Sequence, residues 1–182
     1  MDNLESEINN QINNIPEVNM ISDKMQKALN DQINAEFLSS YLYLSMAAYF
    51  ESENWDGFAA WMKAQSGEEY AHAMKFYKFI NDVDGKVTLD AIEKPKTEWK
   101  SPLQVFEEAH KHELYITDRI NKLVALAIQE NDYATNLFLN YFVTEQIEEV
   151  STVAQIVHKF NLLSDNKTSL FLLDRELGMR TK

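Results

Sequence analysis

Four stretches of this chain repeat apolar residues at three- and four-residue spacing, and each stripe is broken by one glutamate that the period turns inward. The first reads Met25, Leu29, Gln32, Glu36, Tyr43, Phe50, and the second Phe58, Trp61, Gln65, Glu69, His72, Phe76. The third runs Leu103, Phe106, His110, Glu113, Ile120, and the fourth Phe138, Phe142, Gln146, Glu149, Val153. A buried ion carries a desolvation penalty of several kcal/mol, and like charges in one site repel besides. Four such stripes can share a core only if something positive is held among the carboxylates.

The spacing predicts one long helix over 20–51, a turn at Glu53 to Gly57, and a second helix ending near residue 84. Residues 85–100 carry Gly85, Thr88, Pro95 and Thr97 without a helical stripe. Ser101 and Pro102 then read as the cap and first residue of a third helix. That helix stops around Gln129 to Asp132, a fourth runs on to Phe160, and after a polar break from Asn161 to Asn166 a short apolar helix covers Leu170 to Leu177. With only 4 Gly and 3 Pro the chain has too few turn residues for a β-sandwich or small barrel, so the expectation is all-α. At ~1.5 Å per residue a main helix is about 40 Å long. About 16 extended residues reach about 50 Å, enough for the middle connection to span a helix. Short, long and short links then give a four-helix bundle in which helices two and three run parallel, joined by one long crossover, with a short fifth helix at the C-terminal end. In that topology the four inward glutamates fall within about 6 Å of one height. Leu170, Phe171, Leu172 and Leu173 cannot all bury on one chain and are expected to pack in a neighbouring subunit. Residues 1–19 read as an extension ahead of a domain over 20–182. Leu4, Ile8, Ile12 and Ile15 keep helical spacing there, so a docked arm competes with a disordered tail.

Composition narrows the chemistry. Cys is absent, which removes disulfides, thiolate metal sites and cysteine nucleophiles, and leaves Glu, Asp and His as the available metal ligands. Four carboxylates and an imidazole suit iron or manganese, and two divalent ions would neutralise the four charges. The formal net charge of −12 argues against a nucleic-acid partner and suits a protein that attracts cations. The opening MDNLESEINN lacks a basic and apolar leader pattern, and no apolar run is long enough to span a bilayer. The expectation is a cytoplasmic protein without a membrane partner.

The segments NAEFLSSYLYLSM, GEEYAHAMKFYKFI, HKHELYIT and NYFVTEQIEEV, one in each long helix, resemble the bacterial non-haem ferritins, and the likeness runs from about residue 20 to the end. The resemblance implies a ferroxidase and iron store in which Glu36, Glu69 and His72 hold one iron and Glu69, Glu113 and Glu149 a second, with Glu69 bridging. It implies a non-ligand role beside the site for Gln146, a possible electron-donor role for Tyr43, and a weaker third iron position at Glu68, Glu145 and Glu148 with Glu149. It further implies two irons per subunit, Fe(II) oxidised by O₂ or H₂O₂, and a homo-oligomeric shell of twenty-four subunits around a ferric mineral. Helix four carries Gln146, Ile147, Glu148, Glu149 where a symmetric centre would repeat the Glu-x-x-His of Glu69 and His72. The second metal position therefore lacks an imidazole and is expected to hold iron more weakly. Haem is not expected.

Blander readings stand beside these. A phase error of about 100° would put the five residues in solvent, and Glu68, Glu145 and Glu148 lie off the deepest stripe. His110, His112 and His158 read as surface or interface residues, and Met46, Met62 and Met74 as core or interface filler. Rival functions are a dinuclear-iron oxidase or oxygenase acting on an organic substrate, a DNA-protecting miniferritin, and a purely structural bundle. The chain is short for a substrate cleft beyond the bundle, and its first residues are acidic rather than lysine-rich.

Overall fold

A computed structural model describes residues 20–163 and 166–179, so the expectations for residues 1–19 lie outside the described residues. The elements are α1 (Asp23–Ser52), α2 (Asp56–Asp82), α3 (Pro102–Glu130), α4 (Tyr133–Leu163) and α5 (Lys167–Gly178), with no strand among the described residues. Helix α1 starts later than its periodicity suggests because the Ser22 side chain caps it, accepting from the Met25 N–H. Ser101 caps α3 in the same way, with Pro102 in the first turn. The α1–α2 turn is shorter than expected, since Asp56 and Gly57 already belong to α2.

The crossover is fastened along α1 by polar side chains. The Lys86 N–H donates to Gln26 Oε1 at 2.6 Å, the Thr88 N–H to Asn30 Oδ1 at 2.8 Å, and Asn34 Nδ2 to the Ala91 carbonyl at 3.0 Å. Farther on, Ser45 Oγ donates to the Lys96 carbonyl at 2.6 Å, and the Tyr49 and Trp99 rings meet at 5.3 Å. Both partners ascend in number, so residues 83–101 travel in the direction of α1. They return the chain to the end where α2 began, and α3 therefore runs parallel to α2. Asn131, in the left-handed conformation at φ 56°, closes α3 and turns the chain into α4.

The core forms two apolar slabs. Near the α1–α2 turn, Phe50, Phe58, Trp61, Met62, Phe106 and Phe160 pack together, and Met46 is buried with them. Toward the other end, Leu29, Ile33, Phe76, Ile80, Ile120 and Phe142 form the second. The inward glutamates of all four stripes lie between the slabs in sequence.

Helix α5 buries part of its apolar run on its own chain and leaves part exposed, in keeping with the expectation that Leu170 to Leu173 cannot all bury there. Leu173 and Leu177 bury against the same chain, while Phe171 and Leu172 remain exposed. The reason is a close helix crossing. Trp55, the cap residue of α2, makes no side-chain cap, and the buried Asp174 supplies one instead, accepting from the Phe58 N–H at 2.8 Å. The crossing needs glycine, since a Cβ on Gly57 would stand 1.8 Å from the Asp174 carbonyl oxygen. Gly67, in the middle of α2, faces open space. Gly57→Ala is expected to cost about 1–3 kcal/mol and to open α5 to protease, whereas Gly67→Ala should stabilise by roughly 0.5–1 kcal/mol. Urea unfolding midpoints and limited proteolysis check both.

Candidate metal centre

Between the slabs, α1 contributes Gln32, Glu36 and Ser39, and α2 contributes Gln65, Glu69 and His72. Glu113 comes from α3, and Gln146 and Glu149 from α4; all are buried. Glu36, Glu69 and Glu113 are at most 1% exposed, His72 4% and Glu149 8%, which excludes the solvent-facing reading of these five. One ligand atom each from Glu36, Glu69 and His72 lie within 4.8 Å of one another. His72 Nδ1 is 3.6 Å from Glu69 Oε2, as the three-residue spacing on one helix requires.

Glutamines hold three of the four carboxylates. Gln32 Nε2 donates to Glu36 Oε1 at 2.8 Å, Gln65 Nε2 to Glu149 Oε2 at 2.8 Å, and Gln146 Nε2 to Glu113 Oε2 at 3.3 Å and to the Glu113 carbonyl at 3.2 Å. The Tyr43 hydroxyl donates to Glu113 Oε1. Two buried oxygens, Oε2 of Glu36 and Oε2 of Glu69, have no hydrogen-bond partner. In a dry interior such atoms are costly unless a cation meets them.

The flanking acids are placed differently. Glu68 and Glu145 are half-buried and Glu148 is exposed. Glu145 Oε2 lies 4.0 Å from His72 Nε2 and hydrogen-bonds Tyr141, so Glu145 adjoins the centre. His112 departs from its surface reading: it is half-buried, its Nε2 is 2.7 Å from Ser39 Oγ, and its ring meets Tyr43 edge-on at 6.4 Å.

Residues 26–163 match the family described as Ferritin-like domain. A bacterial non-heme ferritin of Bacteroides fragilis is 45% identical over 161 residues, covering 88% of this chain and all of that one. A bacterial non-heme ferritin of Staphylococcus aureus is 37% identical over 162 residues, or 89% of this chain and 98% of that one. The open pore ferritin of Archaeoglobus fulgidus superposes with a TM-score of 0.88 at 49% identity, across 88% of this chain and 99% of that structure. The chain belongs to the ferritin family.

In this ferritin the buried acids resist ionisation. Burial pushes the Glu36 carboxyl from 4.5 up to about 7, against the opposing pull of the Gln32 hydrogen bond, the adjoining Glu69 carboxyl and the Arg119 charge. Glu113 also rises to about 7 through burial, with the Tyr43 hydrogen bond pulling the other way. Burial and then the charges of Glu113, Glu36 and Glu149 drive Glu69 well above the usual carboxylate range. Tyr43 is raised by burial and by Glu113, Tyr141 climbs to about 12 through burial and Glu145, and burial lowers His112 to about 4. A multivalent cation reverses this preference by favouring the ionised carboxylates.

Sequence reasoning gave no role to Gln32, Gln65, Arg119, Thr117 or His112. The four-residue step from Gln32 to Glu36 was a usable signal. Gln65 has the same step to Glu69 yet serves Glu149 on another helix, which no spacing reveals. Thr117 Oγ1 accepts from Gln146 at 3.2 Å and fixes that amide.

A folded pKa near 7 against 4.5 unfolded means that the native state binds the proton more tightly. Stability from that proton is complete below the unfolded value and is lost as pH rises through the folded one. For metal-free protein, Glu36→Gln should therefore gain stability over the parent chain as pH rises from about 5 to about 8. Thermal melts across that range with and without Zn(II) test this, and Zn(II) should shrink the gain by stabilising the parent more, since the variant lacks the Glu36 ligand.

Proposed function

We propose that this ferritin is an iron-storage protein with ferroxidase activity, oxidising Fe(II) at a centre within one subunit and storing Fe(III) as mineral in a multi-subunit shell. The observation that carries the reading is the pair of unpartnered buried oxygens on Glu36 and Glu69, set among four inward glutamates and His72. The names of its relatives, bacterial non-heme ferritins, support iron as the metal.

Fe(II) is here a substrate. Glu36, Glu69 and His72 would receive one ion, and Glu69, Glu113 and Glu149 a second, with Glu69 shared. The chemistry is balanced when two Fe(II) each lose one electron and O₂ takes both with two protons to leave as H₂O₂; peroxide can serve as oxidant in its turn. The chain's own groups prepare this step. Gln32, Gln65 and Gln146 orient three carboxylates. The carboxylates release protons as the cations enter, and their hard oxygens favour the ferric product. Tyr43, hydrogen-bonded to Glu113, would serve as a further electron donor only where O₂ is reduced beyond H₂O₂ toward water, its proton then passing to that carboxylate. Imidazole on one side and only oxygen on the other makes the positions unequal, so iron in the second is in transit. Glu68, Glu145 and Glu148 would form a weaker third position leading away from His72.

The oxidase reading needs room for an organic molecule beside the metals. A groove of about 680 Å³ runs between α1 and the crossover, lined by Asn30, Asn34, Thr88 and Arg119 among others, but none of the five central residues lines it. A smaller one of about 420 Å³ between α3 and α4 reaches only the Thr117 and Gln146 side.

Size exclusion followed by aerobic Fe(II) addition is expected to show a large assembly, taking up many irons per subunit. A small species that stops at two irons would favour the oxidase and overturn storage. Glu69→Ala should slow Fe(II) oxidation by more than the roughly 10–100-fold typical of losing a supporting residue, measured by stopped-flow absorbance.

A further inference from the structure

Arg119 stands outside the motifs that carry the family resemblance, and its contacts lead into the centre. From α3 it donates Nε–H to Gln32 Oε1 at 2.8 Å, Nη2–H to the Asp31 carbonyl at 2.8 Å and Nη1–H to the Tyr115 hydroxyl at 3.2 Å. Three acceptors fix the guanidinium across the α1–α3 seam. Gln32, 1% exposed, lies between this cation and Glu36 and passes its Nε2–H to Glu36 Oε1 at 2.8 Å.

An isolated glutamine amide can sit either way round. Arginine offers only donors, and Glu36 once ionised by a bound metal only accepts, so an amide held between them has one satisfying orientation, oxygen to Arg119 and nitrogen to Glu36. The reversed amide would set its oxygen against a carboxylate and its N–H₂ against a guanidinium, leaving both buried contacts repulsive. Glu36 Oε1 is thereby occupied, and Oε2 is left without a partner inside the bundle, where the Glu36, Glu69 and His72 ligand atoms gather within 4.8 Å. Glu113 and Glu149 take their amides from other glutamines, Gln146 and Gln65.

We propose that Arg119 is a positioning residue for one half of the centre: by occupying Gln32 Oε1 it commits the Gln32 amide to Glu36 and so fixes which Glu36 oxygen is offered to metal. The inference rests on the cluster reading above. It makes the position built from Glu36, Glu69 and His72 depend on a surface-seam arginine, while the position built from Glu113 and Glu149 does not. Lysine would keep the charge without the planar fork that reaches Gln32, Asp31 and Tyr115 together.

Anaerobic Co(II) titration of the full chain, read by visible absorption, separates the two positions by affinity. Arg119→Leu is expected to weaken the imidazole-bearing position by roughly tenfold and leave the other unchanged. Gln32→Leu should do the same, and Arg119→Leu should add nothing in a Gln32→Leu background. A full Arg119→Leu effect persisting in that background would show that charge acts directly and would overturn the relay. So would equal losses at both positions accompanied by a fall in melting temperature, or no change at either. Should Arg119→Leu fold poorly, Arg119→Lys serves, with a smaller loss at the same position alone. If the parent chain and Glu36→Ala bind Co(II) identically, the centre itself fails and the relay with it. Retained Glu36 dependence without Arg119 dependence overturns only the relay.

Discussion

Confining four carboxylates to one layer of an apolar bundle is the constraint to which the other features answer. Each of the four long helices gives up one core position to a glutamate, and aromatic and aliphatic slabs above and below keep that layer from water. Dry surroundings make unpaired charge expensive and make a cation's attraction strong for the same reason, namely weak screening. Burial raises Glu36, Glu69 and Glu113 alike, so the metal-free centre favours protons where a loaded one favours ions. The site is thus poised to exchange protons for cations.

The glutamines show how such a layer is kept in order. At Glu36 the amide satisfies one carboxylate oxygen and leaves the other for metal, which a lysine or arginine in the same place could not do without neutralising the site. Three glutamines from α1, α2 and α4 take one carboxylate each, and Glu69 is left to the metals. The same economy appears at the periphery. Asp174 caps a helix that is not its own, and Asn30 and Asn34 hold a crossover that lacks regular structure.

Much of the architecture was legible because it depends on local periodicity. The helix count, the long middle link and the parallel course of α2 and α3 followed from stripe lengths and turn residues, and the burial of Glu36, Glu69, His72, Glu113 and Glu149 followed from their phase. Legibility ended where a remote residue decided a local outcome. Helix α2 includes Asp56 and Gly57 because Asp174 caps it from α5. That helix in turn buries Leu173 and Leu177 on its own chain because Gly57 permits a close crossing. His112, flanking Glu113, looked like a surface residue until Ser39 of α1 was seen against it.

The amino-acid order alone determined that there are four amphipathic helices, that an acid sits on the inner face of each, and that no thiol competes for a metal, since these depend only on residue type and a fixed 3.6-residue period. Only the tertiary structure decided which amide serves which carboxylate, which two oxygens stay unpartnered, and that Arg119 of α3 grips Gln32 of α1. Apart from Gln32 and Glu36, four residues apart on α1, those pairings join residues more than thirty positions apart. Contacts of that range are set by how helices cross and rotate against one another, which periodicity along a single helix leaves undetermined.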